Sequence, residues 1–297
     1  MKVSVCEVGP RDGLQIEEAR LDPATRAELA RRLLAVGVAR VEIGSFVDSR
    51  RVPQMAGAEE VAERLGDDKA WSALVLNERG YMRLAETPVR RANFAFAVTD
   101  EYNRRNQGAT SAESIALLGR ICELARADGR SVSATVAVAF GCPFAGAVPE
   151  SRVLDAAEQA VAAGASEVVL ADTIGVAVPS QVRRLVAAAC RLGVPVGAHL
   201  HNTRSTGYAN ALTAVDAGAT LLDAAVGGTG GCPFAPRATG NIATEDLAYL
   251  LRGEGIDTGI DIEALIEVAE WLEELLGHPL PGQLHLAGDF ELGAHSS

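Results

Sequence analysis

Strand-like and helix-like stretches alternate along nearly the whole chain, and this alternation limits the possible folds more than any other feature. Short β-rich runs begin at Val3 (VSVCEVG), Arg40 (RVEIGSF), Trp71 (WSALVL), Arg91 (RANFAFAV), Ser131 (SVSATVAVAF), Glu167 (EVVLAD), Pro195 (PVGAHLHN) and Thr220 (TLLDAAVGG). Amphipathic helical stretches lie between most of them, and several close on a glycine: Gly37, Gly129, Gly164, Gly193 and Gly218. Glycine takes the left-handed backbone that ends a helix, and a strand follows within a few residues each time. Strands separated by helices pair in parallel through right-handed crossovers. Eight such units predict a closed (β/α)8 TIM barrel. An open doubly wound sheet would alternate too. Its first β-to-α turn would carry G-x-G-x-x-G, whereas this one reads EVGPRDGLQ. With no interior linker or low-complexity tract, residues 1–297 read as one barrel domain. An additional C-terminal helix and tail begin at about residue 261, and the stretch from Pro279 has no assigned element.

Composition narrows the partners. The formal net charge of -12 argues against a nucleic-acid binder, which needs a basic patch, and against an anionic membrane surface. No apolar run approaches the ~18 residues of a membrane helix. The N-terminus MKVSVCEVGP enters a strand directly, without a signal-peptide core or transit segment, so a cytoplasmic location is expected. The cysteines, Cys6, Cys122, Cys142, Cys190 and Cys232, are odd in number, widely spaced and free of CxxC pairs. That pattern predicts neither a disulfide framework nor a zinc knuckle.

In a barrel, functional groups gather at the C-terminal ends of the strands. There the chain carries Glu7, Arg11 and Asp12 after the first strand, Glu42 on the second and Asp172 after the sixth. His199 and His201 follow on the seventh, and Cys232 and Asn241 come after the eighth. His199 and His201 are two apart in an extended segment and so share a face, where a core strand would place Val or Leu. With the Asp12 carboxylate and the Asn241 amide oxygen they form a mixed nitrogen and oxygen donor set. Such a set suits Mg²⁺, Mn²⁺ or Co²⁺ better than structural zinc. Two hydrogen-bonded polar residues at a strand end are the alternative for the pair. Arg11 is either a loop ion-pair partner or a cation aimed at a developing oxyanion. Glu42 and Asp172 are charges too expensive to bury unpaired, fit for supporting a neighbour or for acid–base work. Cys232, bracketed by GGTGG and PFAP, suits a thiol carried over the mouth by a mobile loop. Cys142, in FGCPFAG, reads as structural or as lining the substrate site.

EVGPRDGLQ, VEIGSF, VPQM, FGCPFAG, ADTIGVAVP, HLHNT and GGCPFAPRATGNIATED occur in this order. Together they resemble the 3-hydroxy-3-methylglutaryl-CoA lyase family of metal-dependent aldolase-type barrels, from about Val3 to Thr258. The resemblance implies a Mg²⁺ or Mn²⁺ site, a small-molecule acyl-CoA substrate and a homodimer. It implies metal ligation by Asp12, His199, His201 and Asn241, and enolate stabilisation by Arg11. Cys232 would be the mobile-loop acid, and Glu42 and Asp172 match the family's acidic residues. The reaction implied is a retro-Claisen cleavage of the C2–C3 bond, giving acetyl-CoA and acetoacetate from the family substrate. Asp172, or a histidine not fully bound to metal, is the expected base.

The chain departs from the family pattern at Ile16, at Asp48, Arg50 and Arg51, at Arg204, Ser205 and Thr206, and at Thr229 and Arg237. No metal ligand is lost, so the expected change is in the acyl group. Another superfamily aldolase or an acyl-CoA-condensing synthase is the alternative enzyme. Those begin more like TLRDG, and the synthases carry a long extra C-terminal domain. A biotin-dependent carboxyltransferase would carry a biotin-attachment segment. A non-catalytic binding barrel would be expected to have lost a ligand.

Overall fold

The computed structural model describes residues 2–231 and 240–290. Eight parallel strands close in sequence order, with β8 returning to β1. They are β1 Ser4–Glu7, β2 Arg40–Ser45, β3 Trp71–Val75, β4 Arg91–Ala97, β5 Ser131–Ala137, β6 Glu167–Ala171, β7 Val196–His199 and β8 Leu221–Ala224. The expected barrel is therefore present.

The helices are α1 Pro23–Ala35, α2 Ala58–Leu65, α3 Glu78–Ala85, α4 Asp100–Gln107, α5 Ser111–Ala127, α6 Glu150–Ala162, α7 Pro179–Ala189, α8 Gly207–Asp216, α9 Thr244–Gly253, α10 Ile262–Leu276 and α11 Leu284–Ala287. Their apolar faces bury residues such as Leu29, Leu33, Leu118, Ile121, Leu185 and Leu272 against the barrel. Side-chain caps start several of them: Asp22 accepts from Thr25 N at 2.7 Å, and Thr110 and Glu113 form a reciprocal capping box. None of the described helices is long and apolar enough to cross a membrane.

The sequence reading missed α3 and α4. α4 (DEYNRRNQ) has eight residues and is almost entirely polar, so its hydrophobic periodicity is weak; α3 is equally short but does carry a buried apolar face, Tyr81 and Leu84, that was overlooked. The strands also end short of the expected runs, β8 by the most. β5 stops at Ala137 because buried Val138 takes φ +53°, a conformation a β-branched residue rarely adopts. β7 stops at His199, and His201 instead forms an isolated antiparallel bridge with Asn241. The stretch from Pro279 folds back on the barrel, with Gly282 N donating to Gly227 O at 2.9 Å.

At the N-terminal end of the strands, Arg40 on β2 forms a two-pronged pair with Glu167 on β6 at 2.6 and 3.1 Å. These charges fill the barrel floor, where even-numbered strands contribute one layer. The opposite end holds the polar groups considered next.

Candidate active site

The site straddles the seam where β7, β8 and β1 meet. After β1 the chain makes one wide helical turn, Gly9–Gly13, in which the amides of Arg11, Asp12 and Gly13 all donate to Val8 O at 3.1, 2.7 and 3.2 Å. This turn sets the side chains of Arg11 and Asp12 side by side above the barrel. Glu7, buried below, anchors it by accepting from Gly9 N at 2.8 Å, Val226 N at 2.9 Å and the Thr244 hydroxyl at 2.6 Å. Burial pushes the Glu7 carboxyl up to about 7.

Asp12, His199 and His201 each present a ligand atom within 4.8 Å of the other two. The Nε2 atoms of the two imidazoles face one another at 3.2 Å, and Asp12 Oδ2 lies 3.9 Å from His199 Nε2. On its other side His199 Nδ1 lies 3.1 Å from Asp223 Oδ2. A proton on Nδ1, donated to that carboxylate, leaves Nε2 as a lone pair aimed at the cavity. Two such lone pairs at this distance repel unless a proton or a cation lies between them. Asn241 donates through Nδ2 to Asp12 Oδ2 at 2.9 Å and to Thr229 O at 3.0 Å. Its Oδ1 is buried with no hydrogen-bond partner. A buried amide oxygen without a donor is costly, and a bound cation would satisfy it. The four residues thus fit a divalent metal ion.

The electrostatics agree with that fit. Burial would raise the Asp12 carboxyl, but Arg11 and then the two imidazoles hold it down at about 2. Burial and then the neighbouring His199 keep His201 near 4, so its ring is neutral at physiological pH. Burial alone would lower His199, yet the bond to Asp223 and the Asp12 charge outweigh it and raise its pKa.

Arg11 is held from two sides. Its Nη1 donates to Asp12 Oδ1 at 2.6 Å, and its Nε donates to Glu42 Oε2. Glu42 Oε1 accepts from Asn93 Nδ2 at 2.8 Å, and Asn93 Oδ1 accepts from the Thr135 hydroxyl at 2.9 Å. Strands β1, β2, β4 and β5 are thereby tied into one polar chain ending on the guanidinium. Glycine lets the loop after β8 close on this group. Gly230 has φ +108°, and a Cβ there would come within 2.6 Å of Asn241 Nδ2.

The structure therefore brings Arg11, Asp12, Glu42, His199, His201 and Asn241 together. Asp172 is placed differently. It is buried at the end of β6, and its two oxygens accept from Val176 N at 2.8 Å and Ala177 N at 3.0 Å within its own turn. Burial raises its pKa despite those bonds. Cys232 and Arg237 lie outside the described residues. Cys142 is buried and takes up the Thr99 hydroxyl at 3.1 Å, a structural placement. Asp223, Asn93 and Thr135 were missed from sequence. The only trace of Asp223 is a carboxylate inside the apolar run TLLDAAV.

The departures from the family pattern also divide. Arg204 donates to Ile174 O at 2.9 Å and Gly175 O at 2.7 Å, bracing the turn that Asp172 caps. Thr229 is buried, and a Cβ on Gly13 would meet its Oγ1 at 2.4 Å. Asp48 and Arg51 line a cavity of about 540 Å³ that begins at Arg11, Asp12, His199 and His201. The cavity continues past Leu74 and Leu76 to Tyr102, Asn106 and Gln107 on α4.

Comparison with known proteins places this geometry in context. The family model described as HMGL-like matches residues 2–272. The (R)-citramalyl-CoA lyase of Chloroflexus aurantiacus is 49% identical, over 96% of this chain and 95% of that protein. The hydroxymethylglutaryl-CoA lyase of Pseudomonas mevalonii is 38% identical, over 93% of each. Among solved structures, an HMG-CoA lyase from Acinetobacter baumannii in complex with coenzyme A and 3-methylmalate superposes with a TM-score of 0.93 at 38% identity. That match covers 100% of this chain and 98% of the other.

Proposed function

Because this chain belongs to the HMGL-like family of acyl-CoA lyases, we propose that it is a divalent-metal-dependent lyase acting on a 3-hydroxy-3-methyl-dicarboxylic acyl-CoA. It would break the C2–C3 bond and release acetyl-CoA and a keto acid. The observation that carries this reading is the pair of facing Nε2 atoms, 3.2 Å apart, beside the orphaned Asn241 Oδ1. Citramalyl-CoA, which would give pyruvate, is placed first on the 49% relative. 3-Hydroxy-3-methylglutaryl-CoA, one methylene longer and giving acetoacetate, is the second reading on the 38% relative.

Asp12, His199, His201 and Asn241 would hold Mg²⁺ or Mn²⁺. When bound, the cation supplies Lewis acidity toward the substrate's 3-hydroxyl and a neighbouring oxygen. Asp223 fixes the tautomer of His199, and burial keeps His201 neutral and available. The 3-hydroxyl proton would pass to a base, Asp172 or an imidazole not fully bound to metal. The C3 oxygen becomes the keto carbonyl, and as the C2–C3 bond breaks its electron pair moves onto C2 and the thioester carbonyl. Arg11, preset by Glu42, Asn93 and Thr135, would stabilise that enolate without reorganising. The Cys232 thiol would return a proton to C2. Asp172 would also hold the turn 172–177, whose Thr173 lines the cavity.

The test is direct. Metal-stripped protein is given each thioester with and without Mg²⁺ or Mn²⁺, and acetyl-CoA, pyruvate and acetoacetate are followed. Metal-dependent release of acetyl-CoA with a keto acid, abolished in His201→Ala, is expected, with citramalyl-CoA the faster substrate. Folded protein that binds metal but cleaves neither thioester would overturn the substrate assignment. Failure to bind metal would overturn the mechanism.

A further inference from the structure

Among the described residues two arginines line the cavity, and they stand in opposite electrostatic states. Arg11, at the inner end, is neutralised by Glu42 and Asp12. Arg51 is exposed, in the loop between β2 and α2, and no ion pair to it is found among the described residues. The nearest candidate, Asp48, is taken by Arg50, whose Nη2 and backbone N reach it at 2.7 and 3.0 Å. The pairing of Arg50 with Asp48 therefore leaves Arg51 as an uncompensated cation at the rim, in a chain of net charge -12.

An acyl-CoA enters as a polyanion, and a chain this acidic repels it at long range. Its phosphates are too costly to bury and must stay at the mouth, while the pantetheine arm can follow the cavity. Along that path Leu74, Leu76, Val52 and Leu117 offer apolar wall, and Asn77 and Asn106 offer amides. A guanidinium fork at the rim is suited to a phosphate oxygen pair.

We propose that Arg51 is a substrate-binding residue that engages a phosphate of the coenzyme A handle, rather than the carboxylate of the acyl group. The proposal rests on the acyl-CoA reading above. The assignment gives the charged Arg50–Arg51 stretch a role in holding the handle and leaves choice of acyl group to the inner end of the cavity.

The experiment compares wild type, Arg51→Ala and Arg51→Lys on two forms of the same acyl group, the CoA thioester and the phosphate-free pantetheine thioester. Free CoA binding to each protein is measured by calorimetry. For Arg51→Ala, KM for the CoA thioester is expected to rise about five- to tenfold with kcat little changed. KM for the pantetheine thioester is expected to stay put, and Lys should recover part of the loss. Free CoA should bind more weakly to Arg51→Ala, and that arm reads out even if neither thioester is cleaved. An equal rise in KM for both thioesters would move Arg51 to the acyl carboxylate and overturn the proposal. No change in KM or CoA binding would overturn it as well.

Discussion

His199 Nδ1 sits 3.1 Å from Asp223 Oδ2, and this one contact decides which nitrogen of the imidazole faces the cavity. Both residues are buried, on neighbouring strands β7 and β8 in register with each other. Replacing Asp223 by Asn removes the charge that favours the Nδ1–H tautomer. Affinity for Mn²⁺, read by calorimetry, is expected to fall about 10- to 100-fold. Unchanged affinity would show that the ring orientation is set elsewhere.

Arg11 and Glu42 should separate binding from chemistry. Arg11→Met removes the cation proposed to meet the enolate, and kcat is expected to drop about 10²- to 10³-fold. Glu42→Gln keeps the acceptor from Asn93 but loosens Arg11, so a smaller loss of kcat is expected. Metal affinity should survive in Glu42→Gln, since Glu42 contacts Arg11 and Asn93 rather than a ligand atom. A collapse of metal binding in Glu42→Gln would refute this division of labour.

The two imidazoles pull the stability of the metal-free protein in opposite directions with pH. His201 is depressed to about 4 in the fold against 6.5 unfolded, so the unfolded chain takes a proton that the native state refuses. Its contribution is whole above pH 6.5 and is lost as pH falls toward 4, on the order of 3 kcal/mol. His199 is raised, so its contribution is present below pH 6.5 and is lost as pH rises through its folded pKa. Asp12, held near 2, adds a further loss below pH 3.8. Glu7, raised to about 7, pulls the other way between pH 4.5 and 7, so the His201 contribution is read as a difference. The stability of wild type relative to His201→Gln, from urea midpoints, should rise as pH goes from 4 to 6.5 and level off above. A profile indifferent to His201→Gln between pH 4 and 6.5 would contradict the assignment.

Cys232→Ala addresses the proton returned to C2. Cleavage should slow about 10²- to 10⁴-fold while Mn²⁺ affinity and thermal stability stay at wild-type values. A variant with undiminished kcat would remove the thiol from the reaction.

The barrel was legible because each strand–helix unit repeats the same demand: apolar strand, amphipathic helix, terminal glycine. α4 escaped because it is almost entirely polar, whereas α3 carries a readable apolar face, Tyr81 and Leu84, between two strands and was overlooked. At the site, Arg11, Asp12, His199, His201 and Asn241 stand out because charged and polar side chains are unexpected at strand ends. Asp223, Asn93 and Thr135 did not, because each lies inside a strand and its partner lies on another strand. The direction of Asp172 was unreadable for a different reason. It depends on the turn 172–177, where backbone amides of Val176 and Ala177 claim both oxygens.

The donor groups come from residue 12 at one end of the sequence and from residues 199, 201 and 241 near the other, and they meet only where β8 hydrogen-bonds to β1. A growing chain thus lacks a cation site until the last strand has docked on the first. Metal capture then acts as a latch on ring closure: ions bind the finished circle and are ignored by every open intermediate. Divalent cations should consequently slow the opening of the ring while leaving the early steps of folding untouched.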